Sequence, residues 1–135
     1  MQFLFLVQSI NFRKNQTMLL VADSGSTKTN WISVNKDRFE TIGFNPFFHS
    51  TESILAELKN NEALSAVAGT FTHVVFYGSG CSSADRNQVV ADALKAFFID
   101  AEIFVGHDME ASAFATYVGR PTISCIIGTG SNSCL

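Results

Sequence analysis

Apolar residues in this chain recur first in short runs with strand character. The first three runs cover about 19–24, 30–36 and 38–44, and Asn35–Asp37 forms a turn between the second and the third. Pro46 ends the third run, because proline lacks an N–H donor and pushes the preceding residue into an extended conformation. The pattern predicts three antiparallel strands at the start.

The remaining chain alternates helical and strand spacing, which predicts the order β-β-β-α-β-α-β-α-β-β. A helix capped by Ser50 is expected to carry one apolar stripe from Ile54 past Asn61 to Leu64. The later elements are strands at about 73–77, 101–105 and 122–127, a helix capped by Ser82 or Ser83, a helix from Met109 to about Val118, and a last strand ending at Leu135. This alternation indicates an α/β fold with a mixed sheet and helices on its faces.

Length and charge narrow the classes of function. At 135 residues the chain can form one domain with a hydrophobic core. A net charge of −3 with scattered basic residues argues against nucleic acid and against anionic membranes as partners. The apolar stretch before Gln8 is too short to span a bilayer. Because Met18 directly precedes the first strand, residues 1–17 are expected to be a start-site extension or a disordered lead.

Three cysteines, Cys81, Cys125 and Cys134, form no C-x-x-C pair and leave one over. They are expected to be free and buried. A reducing, cytoplasmic location is therefore predicted.

The turn after the first strand is the first candidate site. The turn consists of Ser24, Gly25, Ser26, Thr27, Lys28 and Thr29. It is not a Walker loop, because Ala22 and Thr27 occupy the glycine positions and a strand follows instead of a helix. A hairpin tip of this kind can offer N–H groups and hydroxyls to phosphate oxygens, with Asp23 orienting Mg²⁺ through water. The alternative is a polar hairpin in which Asp23 only forms the turn.

A second turn repeats this arrangement near the end of the chain. It consists of Gly128, Thr129, Gly130 and Ser131, and it follows the apolar run Ile126–Ile127. Two such hairpins in one sheet could face each other across the β- and γ-phosphates of a nucleotide, where glycine lets the backbone approach. The alternative is a plain hairpin with no role in phosphate binding. It would account for one such turn, but it accounts less well for two turns of the same kind at corresponding strand ends.

The stretch Gly78-Ser79-Gly80 resembles the start of a dinucleotide fingerprint, but Ser83 replaces its third glycine. That match is weak. A tight strand-to-helix turn that leaves room for a neighbouring ligand explains the same residues.

Asp108 is the candidate general base. It lies where a strand gives way to a helix, so it is expected to N-cap that helix while pointing into the cleft. The helix dipole would favour its ionised form, which suits a base for a substrate hydroxyl in phosphoryl transfer. The alternative is a cap with no chemical role. His107 is expected to have no chemical part, and Glu110 to be solvated.

Together these segments resemble the phosphate-1, connect-1 and phosphate-2 motifs of the actin-like ATPase superfamily. The three segments are Asp23–Thr29, His107-Asp108 and Gly128–Asn132. Within that superfamily the chain is similar to the BadF/BadG/BcrA/BcrD-type ATPase family, and most to its N-acetylglucosamine kinase branch. The resemblance runs from Met18 to Leu135.

The resemblance implies a ribonuclease-H-like domain that forms the N-terminal lobe of a two-lobed kinase, over 18–135, with the second lobe absent. It implies ATP and Mg²⁺ as cofactors and an amino sugar as substrate. Asp108 would be the base acting on the sugar 6-hydroxyl, Asn45 would contact the sugar, and Gly78, Ser79 and Gly80 would line its pocket. Ser24–Thr29 and Gly128–Ser131 would hold the ATP phosphates, with Asp23 near Mg²⁺. Ser24 stands where many relatives have glycine, which could make the loop tighter.

Three functions follow from this resemblance. The first is an ATP-dependent amino-sugar kinase, inactive as an isolated lobe, whose full-length parent could form a homodimer. The second is an ATPase activator of a 2-hydroxyacyl-CoA dehydratase or benzoyl-CoA reductase, which would need cysteine ligands for an iron–sulfur cluster. The third is a non-catalytic lobe that senses a sugar or a nucleotide.

Overall fold

The computed structural model describes residues 18–127 and 131–134. Strands are β1 (Leu19–Ser24), β2 (Lys28–Ser33), β3 (Arg38–Ile42), β4 (His73–Gly78), β5 (Glu102–His107), β6 (Ser124–Ile127) and β7 (Ser131–Cys134). Helices are α1 (Thr51–Asn60), α2 (Glu62–Val67), α3 (Ala84–Phe97) and α4 (Asp108–Thr116), and a 3₁₀ turn covers Ala68–Thr70. The predicted order of strands and helices is confirmed, with the first helix divided in two. The predicted lead, residues 1–17, lies outside the described residues.

Five strands form a mixed sheet in the order β3-β2-β1-β4-β5. The pairs β1–β2 and β2–β3 are antiparallel, whereas β1–β4 and β4–β5 are parallel. The predicted mixed sheet is confirmed. Since parallel strands end at the same edge, the carboxyl ends of β1, β4 and β5 share one edge of the sheet.

The core lies between one face of the sheet and helices α1 and α3, which pack against each other. Trp31 of β2 is its centre, with ring centroids of Phe44, Phe76 and Phe98 at 6.5, 6.0 and 6.0 Å. The buried indole N–H donates to Thr41 Oγ1 at 3.0 Å, which satisfies its one donor. Helix α4 lies apart from this cluster and contacts β1, β4 and β5.

The continuous helix predicted to run past Asn61 is wrong. Asn61 has an extended backbone (φ −83°, ψ 97°), and its side chain accepts a hydrogen bond from the Leu64 N–H at 2.9 Å. Asn61 therefore ends α1 and caps α2, because a short polar side chain competes with the helical backbone for hydrogen bonds. Leu58 and Leu64 still reach the same core.

Two predicted placements near the end of the chain also need correction. The hairpin β6–β7 forms a separate two-stranded sheet and does not join the five-stranded one. It packs along α4, where Thr116 Oγ1 contacts Ser124 Oγ and Cys134 Sγ lies 4.0 Å from the Met109 carbonyl oxygen. Helix α4 ends at Thr116, before the predicted Val118, and Gly119 follows with φ +82°.

Candidate functional site

Strand register brings three of the predicted motifs to one edge of the sheet. Ser24 pairs with Gly78, and Gly78 pairs with His107, so the ends of β1, β4 and β5 are level. Adjacent strands lie about 4.8 Å apart. Asp23, the Gly78–Gly80 turn and Asp108 therefore lie at one edge of the sheet, across about two strand spacings, although they are far apart in the sequence.

The turn between β1 and β2 is tight and its tip is exposed. The Gly25 N–H donates to the Lys28 carbonyl at 2.9 Å, and the side chains of Ser26, Thr27 and Lys28 lie at the surface. Lys28 Nζ is 3.4 Å from Glu40 Oε2, in an exposed ion pair that is weak enough to exchange for a phosphate. The tip can therefore present an amine, hydroxyls and backbone groups to an anion.

Ser24 and Thr29, the two ends of this turn, are fully buried. Their hydroxyls lie 2.8 Å apart, Ser24 Oγ accepts from the Phe44 N–H at 2.9 Å, and Thr29 Oγ1 donates to the Ile42 carbonyl at 2.9 Å. These bonds connect the turn to the end of β3. A phosphate-binding role for the accessible residues of the turn remains a prediction, and the two buried hydroxyls have internal partners.

Gly43, the residue after β3, packs closely against the backbone of this turn. A Cβ at Gly43 would overlap the Gly25 carbonyl oxygen and lie 2.7 Å from the Ser26 carbonyl carbon. The Gly43 N–H also donates to the Thr27 carbonyl at 3.0 Å. The signal in the sequence is a glycine next to an apolar residue and the Asn-Pro pair, which alone does not reveal a backbone contact with another turn.

Asp108 is the first residue of α4, and the prediction that it is the N-cap is wrong. Strand β5 continues to His107, which is the N-cap, and His107 Nδ1 accepts a hydrogen bond from the Met109 N–H at 3.2 Å. The same Nδ1 is 3.1 Å from Asp108 Oδ1. Nδ1 can accept from the Met109 N–H only when it carries no proton, and it can donate to Asp108 only when it carries one. The two contacts therefore belong to different protonation states of the imidazole. Asp108 therefore does not make the capping bond. It still lies at the N-terminus of the helix, where a negative charge is favourable.

Asp23 of β1 and Asp108, directly after β5, lie at the same edge of the sheet, with β4 between their two strands. Burial raises the pKa of the Asp23 carboxyl, and the negative charge of Asp108 raises it further. Two carboxylates that repel each other at one edge suit a divalent cation between or near them. No group of three His, Cys, Asp or Glu side chains that could hold a metal occurs among residues 18–127 and 131–134. The two carboxylates of Asp23 and Asp108 would suit a cation that keeps most of its water shell, as Mg²⁺ does.

Cys81 lies near enough to Asp108 to feel its charge, although its sequence context does not mark it as a site residue. It is buried, and burial with the nearby Asp108 charge raises the pKa of its thiol to about 12. The prediction that all three cysteines are buried is wrong, because Cys125 is exposed and Cys134 is half-buried. Among the described residues all three are free thiols, as predicted.

The predicted sugar contacts also come together. The Ser79 N–H donates to the Ser24 carbonyl at 2.9 Å, which attaches the Gly78–Gly80 turn to the end of β1. Gly80 has φ +83°, and a Cβ there would collide with Asn45 Oδ1. Ser79 Oγ is buried and has no hydrogen-bond partner among the described residues. A buried hydroxyl without a partner is costly, and a polar ligand at this edge would satisfy it.

The second predicted phosphate turn follows β6 in the sequence. Gly128, Thr129 and Gly130 lie outside the described residues. Antiparallel pairing of Ile127 with Ser131 confirms the hairpin on either side of that turn. Because β6–β7 is a separate sheet, the prediction that both phosphate hairpins belong to one sheet is wrong.

Comparison with solved structures identifies the fold. A crystal structure from Porphyromonas gingivalis, described as a "Putative N-acetylglucosamine Kinase", matches with a TM-score of 0.75 and 38% sequence identity. The match covers 87% of this chain and 44% of that chain. This chain has the actin-like ATPase fold.

The other comparisons add no family assignment. No protein-family model matches the chain, and no curated protein matches it in a sequence search. The chain spans less than half the length of the Porphyromonas protein. Within the described residues, no helix is long and apolar enough to cross a bilayer.

Proposed function

We propose that this chain is the N-terminal lobe of an ATP-dependent amino-sugar kinase of the N-acetylglucosamine kinase type, in the BadF/BadG/BcrA/BcrD-type ATPase family. The observation that carries the proposal is the register that brings Asp23, the Gly78–Gly80 turn and Asp108 to one edge of the sheet. The likeness to a protein described as a sugar kinase supports it. The cytoplasm is the proposed location.

Asp108 is the proposed base. Its carboxylate accepts the proton of a sugar hydroxyl as that oxygen bonds to the transferred phosphorus, and the leaving group is the nucleoside diphosphate. Asp108 lies in the first turn of α4, and the N-terminus of a helix is a favourable place for a negatively charged side chain. His107 holds the start of α4 through its bond to the Met109 N–H, and so it orients Asp108 without contacting the sugar.

Residues of the β1–β2 turn would hold the phosphates. Ser26, Thr27 and Lys28 are exposed at its tip, and the buried hydroxyls of Ser24 and Thr29 fix its shape. Mg·ATP would supply the phosphoryl group and neutralise its charge, with Asp23 orienting the hydrated ion. A phosphate contact from Gly128–Ser131 is proposed from their sequence alone.

The sugar would lie beside Asn45 and the Gly78–Gly80 turn. Asn45 Oδ1 accepts from the Phe47 N–H at 2.9 Å, and among the described residues Asn45 Nδ2 has no partner, so it can donate to a sugar oxygen. Ser79 Oγ offers a second polar group. A sugar hydroxyl that occupied this edge would lie within reach of Asp108.

The test is ADP release by the longest polypeptide that the gene encodes, with Mg·ATP and a panel of N-acetylglucosamine, glucosamine, N-acetylmuramic acid and glucose. The proposal predicts turnover that depends on an amino sugar. ATP hydrolysis without any sugar, together with bound iron, would favour the dehydratase or reductase activator. Binding of sugar or nucleotide without turnover would favour the sensing lobe.

A further inference from the structure

The loop after β3 is connected to the start of α3 by one side chain. The guanidinium carbon of Arg86 lies 3.7 Å from the centroid of the Phe47 ring. Arg86 Nη1 also donates to Ser82 Oγ at 3.2 Å, which holds the guanidinium in place over that ring. A cation over an aromatic face is attracted by the ring quadrupole, and the planar guanidinium of arginine stacks better than an ammonium.

A hydrogen bond connects the Phe47 backbone to the Asn45 side chain. The Phe47 N–H donates to Asn45 Oδ1 at 2.9 Å. The Asn45 carbonyl accepts from the N–H groups of Phe48 and His49 at 2.9 and 3.0 Å. Three consecutive backbone amides are therefore bonded to Asn45. The one from Phe47 binds the side-chain oxygen, so the position of Phe47 affects the direction of the Asn45 Nδ2 group.

The two phenylalanine side chains of this loop are not held in place by burial. The Phe47 side chain is 56% exposed and that of Phe48 is 82% exposed, so neither is anchored in the core. The other close support is Gly80, where a Cβ would lie 3.0 Å from Phe47 Cδ2 and would collide with Asn45 Oδ1. Gly80 limits how far the loop can move towards the sheet edge, and Arg86 opposes its movement into solvent.

We propose that Arg86 is a positioning residue for the sugar site, which acts through Phe47 to fix the orientation of the Asn45 side chain. This inference rests on the proposed function, because it assumes that Asn45 contacts the sugar. Arg86 does not touch the sugar itself. It raises sugar affinity by removing conformations of the 45–49 loop that the free protein would otherwise populate.

Hydrogen exchange of the 135-residue chain tests the structural half of this proposal, since the Phe47, Phe48 and His49 amides report on the loop. Arg86→Ala is expected to raise their exchange rates about two- to fivefold, and Arg86→Lys is expected to restore only part of the protection. The matched control is Arg38→Ala, at an exposed arginine of β3. A double-mutant cycle with Phe47→Leu should show that the Arg86 effect disappears when the ring is absent.

Sugar affinity tests the functional half. The Asn45 side-chain amide is followed by NMR during titration with N-acetylglucosamine, in wild type, Arg86→Ala and Arg38→Ala. The proposal predicts a dissociation constant raised about two- to fivefold in Arg86→Ala only. Unchanged exchange of the three amides in Arg86→Ala would overturn the positioning role, whatever the sugar does. Absence of any sugar response at Asn45 in wild type would instead count against the proposed function, and the exchange data would still decide whether Arg86 orders the loop.

Discussion

The charge of Asp108 raises the pKa of the Asp23 carboxyl, although the two residues lie on different elements and far apart in the chain. Asp23 is near the end of β1, and Asp108 opens α4 directly after β5. Burial is the larger cause of the shift and repulsion by Asp108 the smaller. A carboxyl whose pKa is raised by burial and by a nearby charge, as that of Asp23 is, is typical of functional sites.

The first prediction concerns the pH dependence of stability. Because the pKa of Asp23 is raised in the folded state, the folded chain binds this proton more tightly than the unfolded chain does. The wild type therefore loses stability as pH rises from the ordinary carboxyl pKa through the raised one. Asp23→Asn has no carboxyl to ionise at this position. It should therefore be more stable than wild type above that pH range and equally stable below it.

Urea denaturation at about pH 3 and at about pH 7 measures the difference in unfolding free energy between Asp23→Asn and wild type. An equal difference at both pH values would contradict the assignment.

The second prediction concerns Gly43. Gly43→Ala places a methyl group against the backbone of Gly25 and Ser26, so the turn must shift. The expected loss of unfolding free energy is about 1–3 kcal/mol. Gly69→Ala is the matched control, because a Cβ there meets nothing within 4 Å, and it should change stability by less than about 0.5 kcal/mol. Equal effects of the two substitutions in urea would show that Gly43 does not support the turn.

The third prediction concerns the buried hydroxyl of Ser24. Ser24→Ala leaves the Phe44 N–H without its acceptor and removes the partner of Thr29. A loss of about 1–3 kcal/mol of unfolding free energy is expected, because a buried donor is left unpaired. Ser83→Ala serves as the control, since Ser83 is exposed and its side chain makes no capping bond. A Ser24 variant as stable as the Ser83 variant would argue against the network.

The fourth prediction concerns thiol reactivity. Cys125 is exposed, whereas Cys81 is buried and its pKa is raised to about 12. Since the thiolate is the reactive form, iodoacetamide at about pH 8 should modify Cys125 well before Cys81. Mass spectrometry of the peptides at successive times measures both rates in one sample. Labelling of Cys81 as fast as that of Cys125 would contradict the burial and the raised pKa of Cys81.

Much of the fold was predictable from local patterns. The alternation of apolar residues predicted every strand in order, because strands and helices in this chain have distinct periods. Ser50 was correctly predicted as a cap, since its side chain accepts from the Ser53 N–H at 3.3 Å. The break at Asn61 was missed because the apolar stripe continues across it, and only the local bond to Leu64 reveals it.

The candidate site residues were predictable from the sequence, but the residues that hold them in position were not. The turn after β1, the Gly78–Gly80 turn and Asp108 carry recognisable residue types at strand ends. The N-cap was assigned to Asp108 because aspartate is a common cap, yet one more residue of β5 pairs with β4 and makes His107 the cap. Gly43 and Arg86 act through contacts between distant segments, which no local pattern contains.

The most direct test of the central proposal is the turnover number of Asp108→Asn in the longest polypeptide that the gene encodes, with Mg·ATP and N-acetylglucosamine. Asp92→Asn is the matched control, because Asp92 is an exposed aspartate of α3. If Asp108 is the base, turnover should fall by about 10²–10⁴-fold in Asp108→Asn and remain at the wild-type value in Asp92→Asn. Sugar-dependent turnover that survives the loss of the Asp108 carboxylate would contradict the proposed mechanism.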